Sequence, residues 1–262
     1  MADVTTRAET THSTLRHRMR SGAPLLVSLQ SIPDPAITTI LGWSGFDAVI
    51  LDGEHGPFTL ESLRHCLDAV STTPAEAVVR VRSAEAGLIK QVLELGAAGI
   101  LAPSISTADE AAALVSACKY PPLGMRGTGT GRAARYGLAS RSYRATANDE
   151  VVVLAMIETK AGVANAKEIA TVEGLDGIFL GPHDLAAELG VDDHDPVITD
   201  ATRTVVGHGR GAGIAVGSFV PPADVRAAAE AGMTLMMSYT DFAGLAQSSH
   251  GAFLQAAEGV AS

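Results

Sequence analysis

Glu158 and Asp184 are the residues around which chemistry can be organised. Val151-Val152-Val153-Leu154-Ala155-Met156-Ile157 is an apolar, β-branched run that leads into Glu158, and Asp176-Gly177-Ile178-Phe179-Leu180 leads through Gly181-Pro182-His183 to Asp184. A helix-like segment over residues 162–172 separates the two runs. Strand, helix and strand in that order form a βαβ unit, whose right-handed crossover brings both strand ends to one edge of a parallel sheet. Two carboxylates at one rim are a typical protein contribution to Mg²⁺ or Mn²⁺, with water and an oxygen-rich substrate filling the other positions. A third apolar run, residues 47–51, ends at Asp52-Gly53-Glu54-His55-Gly56-Pro57. His55 is a candidate general base, with Asp52 three residues earlier to fix its tautomer; a local loop hydrogen bond is the plainer role for that pair. Arg80 sits among the apolar neighbours Val78, Val79 and Val81, where an unpaired guanidinium is costly, so it calls for an anion such as a substrate carboxylate.

The elements that must position these residues alternate along the chain. Strand-like runs fall at residues 24–29, 47–51, 77–81, 99–103, 151–157, 176–180, 213–218 and 233–238. Helical spacing appears in most of the gaps, with cap signals at Ser13 or Thr14, at Asp34-Pro35 and at Thr107. The pattern predicts a leading helix over 13–21, short helices over 183–189 and 200–211, and a closing helix over 242–258. Residues 119–148 break the rhythm. With Pro121, Pro122, five glycines and five arginines they read as a long functional loop with some local helix. Eight strands alternating with helices in 262 residues fit a (β/α)8 TIM barrel better than an open doubly wound sheet. The open sheet would carry Gly-x-Gly-x-x-Gly after its first strand, and Gly127-Thr128-Gly129-Thr130-Gly131 has neither that place nor that spacing. In a barrel the C-terminal strand ends form the active face, which gathers Asp52, Glu54, His55, Arg80, Ser104, Glu158 and Asp184 on one rim. Singly, each would pass for a helix cap or a surface charge.

Composition narrows the partners. The chain is 47% apolar but only 4% aromatic, which suits Ala/Val/Leu/Ile-rich strands buried under helices. A net charge of −10 argues against nucleic acid or an anionic membrane and leaves room for a local basic pocket that holds a small anionic substrate. Cys66 and Cys118 stand alone without metal spacing, which favours a reduced, cytoplasmic setting. No apolar run is long enough to span a bilayer, and the polar N-terminus lacks a secretory signal's apolar core. Residues 1–12 are expected to be frayed and 13–262 to form a single barrel domain.

Five motifs in matching order give the chain a family likeness. Asp52-Gly53-Glu54-His55-Gly56, Val78-Val79-Arg80, Tyr120-Pro121-Pro122-Leu123-Gly124-Met125-Arg126-Gly127, Met156-Ile157-Glu158-Thr159 and residues 174–185 resemble the metal-dependent HpcH/HpaI aldolases, from about Pro24 to the C-terminus. The resemblance implies a barrel of the phosphoenolpyruvate/pyruvate-binding type. It also implies reversible cleavage of 4-hydroxy-2-oxo acids to pyruvate and an aldehyde. By the same analogy Glu158 and Asp184 bind Mg²⁺, Mn²⁺ or Co²⁺, Arg80 holds the pyruvate part, and His55 paired with Asp52 moves protons. Backbone N–H groups around His183 and Asp184 contact the pyruvate carboxylate. The family's usual assembly is a homohexamer, a trimer of dimers with an exchanged C-terminal helix, for which residues 242–258 are the candidate. Two positions depart from the pattern: Met156 stands where some members have Gln, and His183 where Ala or Asn is common. Lys160 offers a weak Schiff-base alternative. The rival readings are a citrate-lyase β or malyl-CoA-type thioester lyase and a non-catalytic barrel binding protein. Arg126, Arg132 and Arg135 are candidates to recognise the distal end of the substrate, with solvated surface arginines an equal alternative. The aldehyde itself, the pathway and the stereochemistry are not written in the sequence.

Overall fold

Eight parallel strands pair in chain order and close on themselves, β1 with β8, in a computed structural model that describes residues 14–261. They are β1 (Leu25–Gln30), β2 (Ala48–Asp52), β3 (Glu76–Arg80), β4 (Gly99–Ala102), β5 (Val152–Ile157), β6 (Gly177–Leu180), β7 (Ala215–Phe219) and β8 (Leu235–Thr240). The expected (β/α)8 barrel is therefore present, and each expected strand is found within two residues of its place. The stretch 1–12, expected to be frayed, and the alternative cap Ser13 lie outside the described residues. Thr14 is the cap, its hydroxyl accepting from the His17 N–H at 3.4 Å.

Side-chain alternation along the strands builds two apolar layers. Ala48, Ile50, Val78, Val152, Leu154, Met156 and Phe179 fill the barrel interior, while Val49, Leu51, Val79, Val153, Ala155 and Ile157 face the surrounding helices. The inward phase carries on to the C-terminal rim. Asp52 follows Ile50, Arg80 follows Val78, and Glu158 follows Met156, so a period of two delivers three charged groups to the barrel mouth. The helix Leu15–Arg20 closes the opposite end, with Leu15 and Met19 packed into the interior cluster and Arg16 Nε donating to Asp176 Oδ1 at 2.6 Å.

Two local expectations change, and the local helix expected in the long loop is present. The helix expected over 162–172 is two short ones, Lys160–Ala164 and Ala166–Ala170, interrupted at Asn165, whose Nδ2 donates to the Ser106 carbonyl at 2.8 Å. The helix expected from Asp200 begins earlier, at Pro196, because Asp195 caps it by accepting from the Val197 N–H at 2.9 Å. The long loop contains a helix, Ser140–Glu150, and a 3₁₀ segment, Arg132–Gly137. It follows a helix, Ala108–Cys118, that runs away from the rim, so within this chain its arginines lie at the far end of the barrel from the strand C-termini. Arg132 is occupied there by Asp68 and by the carbonyls of Leu67 and Leu95, and Arg126 is buried against Tyr120 and Tyr143. Neither reads the substrate's distal end from its own barrel.

Candidate active site

Asp52 and Arg80 end adjacent strands in direct register. Their side chains therefore meet: Arg80 Nε donates to Asp52 Oδ1 at 2.9 Å and Nη2 to Oδ2 at 2.7 Å. The pair is buried, with Asp52 only 1% and Arg80 7% exposed. Burial works against ionisation of Asp52, but the bonds and charge of Arg80, with help from the His55 N–H and the Ser31 hydroxyl, outweigh it and hold the carboxyl below its usual range. Arg80 thus faces an anion, as the sequence required, but that anion belongs to the protein and not to a substrate. Its anion is Asp52, and the remaining Nη1 is the nitrogen turned to Glu54, 3.4 Å from Oε2.

The expected Asp52–His55 ring pair is not formed. Asp52 Oδ1 instead accepts the backbone N–H groups of Glu54 at 3.3 Å and His55 at 3.1 Å, closing the loop onto the strand end. A side chain at Gly56 would have its Cβ 2.5 Å from the Asp52 carbonyl oxygen, so the tight turn requires glycine there. The imidazole makes no bond to Asp52. It is 62% exposed, and its Nε2 is 3.7 Å from Glu54 Oε2.

Glu158 is buried, and its Oε1 accepts both the Ser104 N–H at 2.7 Å and the Ser104 hydroxyl at 2.8 Å. Ser104 holds this position with a φ of 57°, a region that costs a non-glycine residue strain and that clusters at functional sites. Gly181 backs onto the same carboxylate: a Cβ there would lie 2.9 Å from Glu158 Oε2. Asp184 follows in the first turn of the helix Pro182–Leu189, exposed at the rim. That helix has no side-chain cap, so the first-turn N–H groups of His183 and Asp184 have no intrahelical acceptor. The His183 ring itself turns aside, its Nδ1 paired with Asp193 and its plane tilted against Phe219.

Glu158 lies against Gly181, and Asp184 follows that glycine by three residues. Among the described residues no group of three or more His, Cys, Asp and Glu side chains could hold a metal ion. The donor chemistry still fits a hard divalent cation, which commonly takes one or two carboxylates and completes its shell with water and substrate oxygens.

Three residues of the site were not among those singled out for a role. Glu54 is partly buried; burial foremost, then the nearby charge of Glu158, pushes its carboxyl up against the opposing pull of Arg80. Ser104 orients Glu158. Asp241, which follows β8, accepts the N–H groups of Ser31 and Ile32 at 2.8 Å each, and Ser31 in turn donates to Asp52 Oδ2 at 3.2 Å. Glu54 and Ser104 were visible by the strand-end rule. Asp241 satisfies the same rule at the end of β8, and only its partners on the first loop, far away in sequence, reveal its use.

Carboxylates, a clamped guanidinium and uncapped helix N–H groups stand at the C-terminal mouth of a (β/α)8 barrel, the face where enzymes of this fold carry their active sites. Residues 30–239 match the HpcH/HpaI aldolase/citrate lyase family, and the chain belongs to it. It is 40% identical over 210 residues to a hydroxypyruvate/pyruvate aldolase of Deinococcus radiodurans, covering 77% of this chain and 76% of that one. It is 39% identical over 206 residues to a 2-keto-3-deoxy-L-rhamnonate aldolase of Escherichia coli, covering 77% of each. A crystal structure of an HpcH/HpaI family protein from Burkholderia cenocepacia superimposes with a TM-score of 0.89 at 34% identity, over 94% of this chain and 99% of that one.

Proposed function

We propose that this protein is a class II pyruvate aldolase that reversibly cleaves 4-hydroxy-2-oxo acids to pyruvate and an aldehyde. The observation that carries the reading is the rim itself: Glu158 held by Ser104, with Asp184 close behind Gly181, and Arg80 held by Asp52, in a chain 39–40% identical to named aldolases. Aldolases at that identity weigh against the thioester-lyase reading and against a non-catalytic binding barrel.

The residues divide the work. Glu158 and Asp184 would hold a divalent cation, Mg²⁺, Mn²⁺ or Co²⁺, which when bound supplies Lewis-acid polarisation of the substrate's 2-oxo group. The N–H groups of His183 and Asp184 receive the 1-carboxylate, as a helix N-terminus does for anions. Arg80 Nη1, the nitrogen not used by Asp52, stabilises negative charge that develops on the 2-oxo oxygen, and its fixed orientation means that little reorganisation is needed as charge moves. His55 accepts the proton of the 4-hydroxyl. The C3–C4 pair of electrons then passes into the pyruvate enolate, the aldehyde departs, and protonation at C3 gives pyruvate. Addition runs the steps in reverse.

Supporting features extend to assembly and setting. The helix Asp241–Ala261 leaves Phe242, Leu245, Phe253 and Leu254 exposed, an apolar face that a second copy would cover, which supports a homohexamer of helix-exchanging dimers. Cys66 and Cys118 are free and buried, in keeping with a cytoplasmic setting, and among the described residues no helix is long and apolar enough to cross a membrane.

The test is pyruvate release from a panel of 4-hydroxy-2-oxo acids by protein stripped with EDTA and resupplied with Mg²⁺, Mn²⁺ or Co²⁺. Activity should vanish and return, and Glu158→Gln should abolish it. Cation bound by calorimetry, with no pyruvate from any substrate, would overturn the assignment.

A further inference from the structure

We infer that Asp241 is a positioning residue for the site: its carboxylate holds the loop after β1 so that Ser31 braces Asp52, and through Asp52 it fixes Arg80. The inference rests on the charge-stabilising role proposed above for Arg80. One buried chain of hydrogen bonds joins the four residues. Asp241 Oδ1 accepts the Ser31 N–H and Oδ2 the Ile32 N–H, each at 2.8 Å. The Ser31 hydroxyl then donates to Asp52 Oδ2 at 3.2 Å, the same oxygen that receives Arg80 Nη2 at 2.7 Å. Asp241, Ser31 and Asp52 are 3%, 5% and 1% exposed, so these links lie where water does not compete with them.

An aspartate that opens a helix is ordinarily there to cap it, and Asp241 is not used that way. The Ala243 N–H goes to the Thr240 hydroxyl at 3.4 Å, and within its own helix Asp241 receives only the N–H of its neighbour Phe242, at 2.8 Å. Its other two bonds cross 210 and 209 residues of sequence to the backbone of the first loop. Two charge-assisted bonds to one carboxylate fix the orientation of the Ser31-Ile32 peptide as well as its place. Gln30 pins the same loop from the strand side, its Nε2 donating to the carbonyls of Ile32 at 2.7 Å and Asp34 at 3.0 Å. The Ser31 carbonyl oxygen in turn lies against Gly56, where a Cβ would come within 2.9 Å, so the loops after β1 and β2 pack as one unit. Asp241 thereby ties the end of β8, and the closing helix that starts there, to the orientation of a guanidinium on β3. A group that must meet developing charge tolerates little displacement, which is why such a distant carboxylate matters to the chemistry.

The experiment compares wild type with Asp241→Asn, Ser31→Ala and the double variant. Asn keeps the volume of the side chain but turns an NH₂ toward a loop N–H, whereas Ser31→Ala cuts the chain one link later and leaves every bond of Asp241 in place. In cation-loaded protein, kcat for pyruvate release should fall about tenfold in Asp241→Asn and about threefold in Ser31→Ala, with KM nearly unchanged. The double variant should be no slower than Asp241→Asn, because both changes act through one chain. Effects that multiply, or a rise in KM in place of the fall in kcat, would overturn the relay. A second readout needs no turnover: solvent exchange of the Arg80 Nε–H, followed by NMR in deuterated protein and assigned with Arg80→Lys. It should quicken by about threefold or more in both single variants, while the Arg16 Nε–H, bonded to Asp176 at the opposite end of the barrel, keeps its rate. Equal acceleration at both arginines would mean a general loss of stability, and no acceleration at Arg80 would mean that Asp241 does not reach it; either overturns the positioning role. Should Asp241→Asn not fold, Ser31→Ala decides alone. A wild type that releases no pyruvate would instead refute the proposed function, leaving the exchange rates to judge the relay.

Discussion

Replacing Asp52 with Asn keeps the volume of the side chain and removes its charge from a place where charge is the reason for the arrangement. Asp52 and Arg80 are both buried and share two bonds, of 2.9 and 2.7 Å. An Asn can retain one acceptor for the guanidinium, but it leaves the cation uncompensated, and breaking a buried pair from one side costs about 3–5 kcal/mol. For a chain of this size such a loss lowers Tm by roughly 6–20 °C. The effect must depend on pH. Because the folded carboxyl titrates below its unfolded value, the pair's contribution is fully present above the ordinary carboxylate range and is lost as pH falls through the folded value. The difference in melting temperature between wild type and Asp52→Asn should therefore be constant near neutrality and shrink in acid. A double-mutant cycle with Arg80→Met isolates the pair, and its coupling should exceed about 2 kcal/mol. Additive single variants, or a melting difference that does not shrink below pH 4, would refute the claim that Asp52 exists to hold Arg80. In the aldol assay the same substitution should lower kcat more than it raises KM, by on the order of 10²-fold, since a loosened Arg80 mainly fails to meet developing charge.

Two further expectations rest on other contacts. Ser104→Ala removes the 2.8 Å bond to Glu158 and should weaken Mn²⁺ binding, measured by calorimetry, by on the order of 10- to 100-fold; unchanged affinity would show that the serine does not orient the ligand. Lys119, buried behind the barrel and donating to the carbonyls of Asn148 and Val151, has its ammonium pushed down to about 8 chiefly by burial. Its unfolded form binds more protons between that value and the ordinary lysine range, so its contribution to stability should improve as pH rises through this window, by about 3 kcal/mol relative to Lys119→Met. Denaturant unfolding of the two proteins from pH 7.5 to 10.5 measures it, and a flat difference would contradict the burial argument.

The barrel was legible because its strands are buried on both faces and its turns carry caps, features that local sequence records. The same alternation that marks Val152, Leu154 and Met156 as interior also places Glu158 at the mouth, so strand-end chemistry could be listed before any contact was known. Which charged group meets which was not legible. Asp52 and His55 are three residues apart and invite pairing, while Asp52 and Arg80 meet only because β2 and β3 register them side by side. The place of the arginines of residues 119–148 was not legible for a related reason: sequence shows a long loop, but only the direction of the preceding helix shows at which end of the barrel it lies.

That pairing alters how the acids of the rim should be counted. A cluster of carboxylates near a proposed cation invites the view that all of them serve the metal, yet each has a different set of partners. Asp52 is fully bonded and holds a guanidinium. Glu158 has one oxygen committed to Ser104, which leaves the other for a cation, and Asp184 offers its carboxylate at the rim. Glu54 alone keeps a buried oxygen without a donor, and the charge of Glu158 makes ionisation there harder still. A cation at Glu158 and Asp184 would offset that repulsion and make ionisation of Glu54 easier. Cation binding and the charge of Glu54 are then coupled, and Glu54→Gln should lower the affinity for Mn²⁺ measured by calorimetry while leaving the stoichiometry of binding unchanged.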